Sequence, residues 1–459
     1  MTLASPAAAK KKPPVSVALK GGVVERGTVC GKLRVMRTTD PGGRMSVAAR
    51  VRLKRARSSV LERSRCVSGR WVLESRQRLG RGLGRHTGPI DSSRPGEYRL
   101  RLLVKRKRRP GRAGQLRYLR VRGSTPAPPP GGVVDVPVSF AVENLNRTPV
   151  PCSSDGAAYQ VSGRLIGPRA ALEAPGSAVT LHLHGLGFGE FFWSFDAPAG
   201  YDYAAAQAAA GRTSVVIDRL GYDASGHPEG NGSCLGSQAD VAHQIVEALR
   251  GGGYALGAAP GAPPAPVAFS RVALAGHSAG GAIAQIEAYS FADIDALIVM
   301  SYADQDSSQT AQSELVTTGQ VCLTGGEPAE PGGPGGYAYF GQTPEDFEAA
   351  MFHDADPQVV ATATALRNRD PCGDSGSIVQ AIVTNQLNLD TVTVPVLLVS
   401  GADDALFPPE AVEEQAGHFS GSDDVSVEVL ANTGHVLTLE RTAPAFRGLV
   451  NDWLEARSF

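Results

Sequence analysis

Ser278 stands in Gly276-His277-Ser278-Ala279-Gly280, where an apolar run stops and a helix-like Ala/Ile pattern starts at once. A serine hydroxyl is a poor nucleophile near neutral pH. It needs a base, and the base needs an acid to orient it and stabilise its charge. His435, in Ala-Asn-Thr-Gly-His, is the candidate base, and Asp404, in Ser-Gly-Ala-Asp-Asp-Ala-Leu-Phe-Pro, is the first-choice acid. Asp403 is adjacent, and Asp304 and Asp306 follow an earlier apolar run, so the acid stays open among the four. Such a set passes the serine proton to the histidine, forms an acyl-enzyme and lets water clear it. The oxyanion formed on the way needs amide donors. Ala279 offers one, and Leu186, in the glycine-rich stretch LHLHGLGFG (181–189), offers the other. Gly185 and His277, next to these donors, are expected to contact substrate. A dinucleotide-binding reading of 181–189 fails, because Glu190 stands where G-x-G-x-x-G requires its last glycine.

The serine pattern is weak in a chain with 54 glycines unless a strand ends there and a helix opens. The surrounding rhythm meets that condition. Strand-like runs occur at 136–142, 159–166, 178–185, 213–220, 270–277, 296–301, 395–401 and 425–430, the later ones rich in Val, Leu and Ile as buried parallel strands are. Helical patterns lie between them at 201–210, 239–251, 279–290, 409–419 and 442–456. The alternation predicts a mostly parallel sheet with helices on both faces. Ser278, Asp404 and His435 each fall just past the carboxyl end of a strand, where such sheets carry their sites. From 302 to 394 the alternation breaks into a Gly/Pro-rich loop and two or three helical stretches, including 343–352 and 377–387, which reads as a lid insertion.

The zero net charge hides two unlike halves. Residues 1–123 hold 33 Lys+Arg and 6 Asp+Glu, whereas 124–459 hold 12 and 39. Residues 13–123 read as short strands with apolar/Arg alternation, as in YRLRLLV (98–104). The Pro-Gly-x-Tyr at 95–98 resembles the tyrosine corner of immunoglobulin-like sandwiches, with Trp71 as a candidate core residue. A basic module of this kind suits an anionic polymer or the acidic domain of the same chain, with a plain solvated face as the alternative and no specific nucleic acid implied. STPAPPPGG (124–132) is a stiff linker. LASPAAAKKK (3–12) is similar to the tail of a secretory signal without its apolar stretch, so 1–12 reads as a signal remnant or a disordered leader. No run of about 18 apolar residues suggests a membrane span. The six cysteines form no CxxC pair; Cys30–Cys66, Cys152–Cys234 and Cys322–Cys372 is the preferred pairing among fifteen arrangements. Three disulfides would imply a secreted or extracytoplasmic protein; six free thiols would imply a cytoplasmic one.

From about residue 133 to the C-terminus the chain resembles the α/β-hydrolase superfamily. The resemblance rests on His184-Gly185-Leu186-Gly187, Asp218-Arg219-Leu220-Gly221-Tyr222, the Ser278 pentapeptide, Gly401-Ala402-Asp403-Asp404 with Pro408 following, and Gly434-His435, in that order. It implies Ser278 as nucleophile, Asp404 as acid, His435 as base, Leu186 and Ala279 as oxyanion donors, and a lid between the sixth and seventh strands. After Asp218 the chain reads Gly-Tyr-Asp-Ala-Ser-Gly instead of the more usual Gly-x-Gly-x-Ser, which bears on pocket shape.

These readings predict an α/β-hydrolase domain (133–459, lid at about 302–394) behind an all-β sandwich (13–123), acting as a serine esterase or lipase on a small neutral ester or lipid. Thioesterase, amidase or peptidase chemistry uses the same triad, and a non-catalytic binding protein is the alternative of another class. No cofactor is required. His86, His182, His227, His243, His353 and His418 show no metal-ligand spacing, so no metal is expected. Cys372-Gly373-Asp374-Ser375-Gly376 resembles the nucleophile site of chymotrypsin-like proteases, but no matching histidine site precedes it, and it reads as a polar loop of the lid.

Overall fold

The computed structural model describes residues 14–30, 32–39, 43–53, 56–67, 70–93, 96–106, 109–113, 116–121, 132–174 and 176–459. The leader and all of the linker but Gly132 lie outside them, as does residue 95 of the tyrosine-corner motif. The chain divides into two compact units, residues 1–124 and 125–459. Among the described residues no helix is long and apolar enough to cross a membrane.

The N-terminal unit is all-β. One sheet orders the strands Val15–Lys20, Met45–Val51 and Gly84–Ile90. The other runs Val23–Val29, Lys32–Thr39, Arg117–Val121, Gly96–Arg106, Ala56–Val67, Arg70–Gly80. Its pairs are antiparallel except Lys32–Thr39 with Arg117–Val121. Alternation works as predicted on Gly96–Arg106. Tyr98, Leu100, Leu102 and Val104 join Val17, Val47 and Leu119 in one core, while Arg101 and Lys105 face water. Trp71 departs from the prediction. It is half-buried on a largely exposed strand, under the Arg99 guanidinium, and is not part of that core. Ala56–Val67 was not expected as a strand, because its Ser and Arg residues mask any apolar period. Its buried polar groups find local partners: Ser59 Oγ lies 2.6 Å from His86 Nδ1, and Arg63 Nε donates to Glu74 (2.7 Å).

In the C-terminal unit we number eight strands: β1 Val133–Glu143, β2 Ala158–Pro168, β3 Ala178–Leu183, β4 Ser214–Ile217, β5 Arg271–His277, β6 Ala296–Met300, β7 Val396–Gly401 and β8 Val425–Leu430. Their spatial order is β1-β2-β4-β3-β5-β6-β7-β8. The pairs β1–β2 and β2–β4 are antiparallel and the rest parallel. Strands β6 and β7 are buried at every position, which is why they read as unbroken apolar runs and not as alternating ones. Helices Leu235–Gly251 and Ala279–Phe291 pack beside each other, and Ala443–Glu455 packs against the helix Tyr203–Ala209.

Between β6 and β7 lie the helices Gln309–Leu323, Pro344–Met351, Pro357–Leu366, Cys372–Gly376 and Ile378–Asn388. Gln309–Leu323 lacks a clear apolar stripe and was not foreseen. The Cys372–Gly376 stretch, expected as a polar loop, is a short helix whose Asp374 is fully buried. Disulfides join Cys30–Cys66, Cys152–Cys234 and Cys322–Cys372. Because β6 is sealed on both faces, Ile298→Ala should lower the stability of the C-terminal unit by about 2–5 kcal/mol, read from its denaturant unfolding transition.

Candidate active site

Ser278 ends β5 and opens the helix Ala279–Phe291 at φ 53° and ψ −123°, a backbone conformation that costs about 1–3 kcal/mol in a residue with a side chain. Neighbouring backbone holds it there. Its amide donates to the Met300 carbonyl on β6 (2.9 Å), and its carbonyl accepts from Gly281 (2.7 Å) and Ala282 (3.1 Å). The flanking glycines are steric requirements. A Cβ on Gly276 would lie 2.0 Å from the Gly280 carbonyl oxygen, and one on Gly280 would lie 2.4 Å from that of Leu183. Ser278 itself remains half-buried.

His435 follows β8 and is fully buried. Its Nδ1 lies 3.0 and 3.1 Å from the two carboxylate oxygens of Asp404. The Asp404 carboxylate also accepts from the amides of Leu406 (2.8 Å) and Phe407 (3.1 Å), so its orientation is set by its own turn. With Nδ1–H given to Asp404, Nε2 is the basic nitrogen, and among the described residues it has no hydrogen-bond partner. The other candidate acids meet other surroundings. Asp403 is exposed and faces His353 at 3.7 Å. Asp304 is buried and accepts from Tyr302 Oη (2.8 Å), Asn385 (2.8 Å) and Gln415 (2.6 Å). Asp306 is exposed.

His277 and Gly185, expected to contact substrate, are not among the residues that line the cavity at Ser278. His277 is fully buried, stacks on Phe192 (centroids 4.3 Å apart) and donates Nε2–H to the His435 carbonyl (3.0 Å). Burial, and after it the neighbouring His435, hold its imidazole well below the usual range, so it is a neutral strut. The Gly185 carbonyl accepts from His184 Nδ1 (2.8 Å).

The cavity at Ser278 also exposes Leu186 and Ala279, the two residues expected to donate to the oxyanion. Its walls are mostly apolar. Ala311, Leu315, Phe340, Met351, Ile378 and Ile382 all come from the segment between β6 and β7. Asp304 and Ser307 are polar exceptions in the lining.

A buried network that sequence reasoning missed fastens the 184–189 loop. Asp370 Oδ1 accepts from the Gly187 amide (2.7 Å) and from Tyr222 Oη (2.9 Å), and Oδ2 accepts from the Phe340 amide (3.2 Å). Arg219 gives its amide to His184 Nε2 (3.0 Å), its Nε to the His184 carbonyl (3.0 Å) and its Nη1 to Asp374 (2.8 Å). The signal for Arg219 was present in the Asp-Arg-Leu-Gly-Tyr motif. Asp370 and Asp374 sit some 150 residues away in sequence, where no local pattern marks them. Asp370→Ala should leave the Gly187 and Phe340 amides without their acceptor and cost about 1–3 kcal/mol per group, read from the same unfolding transition.

A carboxyl pair flanks the far side of this loop. The Glu190 amide donates to Asp218 Oδ1 (2.7 Å). Burial, then the charge of Asp218, pushes the Glu190 carboxyl up to about 7, and burial pushes Asp218 up to about 7. Protons are therefore held more tightly in the folded state than in the unfolded one. The stabilisation is complete below about pH 4, where the unfolded carboxyls are also protonated, and is lost as pH rises through about 7. Glu190→Gln should flatten that decline in a pH series of unfolding midpoints.

Solved structures similar to this chain include a thermophilic esterase from Thermogutta terrifontis (malate bound), at 18% identity over 70% of this chain and 100% of that one, TM-score 0.49. A Paleococcus ferrophilus monoacylglycerol lipase matches at 17% identity over 62% and 97%, TM-score 0.46. A thioesterase domain from the curacin biosynthetic pathway matches at 18% identity over 68% and 98%, TM-score 0.43. No curated protein matches. The model of the "Alpha/beta hydrolase family" matches residues 180–446, more than half of the chain and the whole span from the glycine-rich loop to His435. With its mostly parallel sheet and the strained serine turn at the end of β5, the chain belongs to the alpha/beta hydrolase family.

Proposed function

We propose that the C-terminal unit is a serine hydrolase that cleaves carboxylic esters of small neutral or lipid-like substrates. The observation that carries this is the buried His435, with Nδ1 on Asp404 and Nε2 unpartnered among the described residues, and with its carbonyl bonded to His277, the residue just before a serine held in a strained turn. In this reading Ser278 attacks the ester carbonyl as His435 takes its proton, and Asp404 stabilises the imidazolium. The Leu186 and Ala279 amides hold the oxyanion, each worth about 10²–10³ in rate. His435 then protonates the leaving alcohol, and water releases the acid by the reverse path.

The apolar cavity suits an acyl chain, and the excess of Asp+Glu over Lys+Arg in residues 124–459 disfavours anionic substrates. We read 302–394 as the lid of the 133–459 domain. Val379, Val383 and Leu387, four residues apart on one face of Ile378–Asn388, are each more than half exposed, as are Val316 and Leu323 on Gln309–Leu323. Such an apolar outer face fits an apolar substrate phase. The three disulfides favour an oxidising, extracytoplasmic compartment. The 13–123 module, joined through the 124–132 linker, is assigned an accessory immunoglobulin-like role, its excess of Lys and Arg suited to an anionic polymer.

A series of p-nitrophenyl esters from acetate to palmitate tests the reading. Wild type should turn over at least one of them, and Ser278→Ala should lower kcat by on the order of 10⁴–10⁶. Folded wild-type protein that hydrolyses none of the series would shift the assignment to thioester or amide cleavage, or to binding alone.

A further inference from the structure

A second cluster of reactive side chains lies away from the serine site, between two helices. His243 sits on Leu235–Gly251, Glu287 on the helix that begins after Ser278, and Asp293 two residues past that helix's end. One ligand atom from each falls within 4.8 Å of the other two. The imidazole is fixed on three sides. Its Nδ1 is 2.7 Å from Asp293 Oδ2, its Nε2 is 3.6 Å from the Glu247 carboxylate, and its ring stacks on Phe291 at 3.9 Å and 7°.

Glu287 supplies an independent observation. It is fully buried, and among the described residues no donor reaches its carboxylate; the one group it could bond is the Asp293 carboxyl. Asp293 Oδ1 is buried and without a partner as well. A buried carboxylate is costly unless it is paired, protonated or coordinated. The nearby cations are engaged elsewhere: Arg250 donates to the Asp293 carbonyl and to Asp295 (2.6 Å), and Arg147 pairs with Asp240 (2.6 Å). Asp293 and Glu287 could bond to each other only by sharing a proton.

One imidazole nitrogen and two carboxylates suit a divalent transition metal better than Ca²⁺ or Mg²⁺, which take oxygen ligands. Ligands at about 2.0–2.2 Å from a tetrahedral ion lie about 3.4 Å apart, so an ion between them would part His243 Nδ1 from Asp293 Oδ2, now 2.7 Å apart, and take the hydrogen bond's place. His243 and Asp293 are only half-buried, which leaves the fourth position to water. Glu247, four residues along the helix, stands where a carboxylate orients the other nitrogen of a metal-bound histidine. We infer that His243, Glu287 and Asp293 form a binding site for a divalent transition-metal ion that ties the helix Leu235–Gly251 to the helix carrying the serine turn. Spacing along the sequence could not show it, because one ligand comes from the first helix, one from the second and one from the loop that follows.

The test uses full-length protein stripped with EDTA, titrated with Zn²⁺ by calorimetry and followed by thermal unfolding. Wild type should bind one equivalent and gain a saturating rise in Tm, while Ca²⁺ should give neither. Glu287→Gln keeps the shape and removes the charge, and His243→Ala removes the nitrogen from a half-exposed position. Each should weaken Zn²⁺ binding at least about 100-fold, beyond the 10–100-fold typical of outer-shell changes. Wild type without a stoichiometric site would overturn the proposal and leave a proton shared by Glu287 and Asp293. Zn²⁺ binding of unchanged affinity in His243→Ala would equally overturn it.

Discussion

The left-handed backbone at Ser278 is the constraint to which the C-terminal unit is fitted. A serine at φ 53° persists only where the surrounding chain leaves it no easier conformation. Strands β5 and β6 provide that, through the Ser278-to-Met300 hydrogen bond and through side chains buried almost without exception along both strands. Gly276 and Gly280 let the helix and the neighbouring loop close to distances that a methyl group would forbid. The helix then opens directly behind the serine, and its first free amides carry partial positive charge into the space where an oxyanion would form.

The other half of the site is held from a distance. The 184–189 loop after β3 has no regular structure of its own to fix its amides. Instead it is tied to the segment between β6 and β7 through Asp370, and to Asp374 through Arg219. A buried ion pair such as Arg219–Asp374 adds little net stability, because desolvation offsets most of the Coulomb gain, but breaking it leaves a charge stranded. It therefore specifies one arrangement more than it strengthens the fold. The Cys322–Cys372 disulfide holds the same inserted segment next to Asp374. The inserted segment thus has a firmly held inner part, at Asp370–Asp374, and helices whose outer apolar side chains meet solvent.

Much of this was legible in the sequence, for physical reasons. Buried parallel strands must be continuous apolar runs, so β5 to β7 stood out. A serine between glycines at a strand-to-helix junction has few other uses, and Ser278, Asp404 and His435 each follow a strand end. Asp404 was the first choice over Asp403, but the acid stayed open among four, since two adjacent carboxylates differ only in which way the turn points them. Asp370, Asp374 and Glu287 were invisible for another reason. Their environments are made by residues far away in the chain. The strand Ala56–Val67 escaped because its buried positions hold Ser and Arg, satisfied by cross-strand partners instead of by apolar contact. His277 looked like a pocket residue by its place in the motif, yet its ring supports His435 from behind.

The account stands or falls on whether Ser278 is an activated nucleophile. The most direct measurement is covalent labelling of the folded protein by a fluorophosphonate, followed by intact mass and peptide mapping. The account predicts one adduct, on Ser278, and a labelling rate that collapses in His435→Ala. A folded wild-type protein that stays unlabelled, or carries its adduct on another residue, would contradict it.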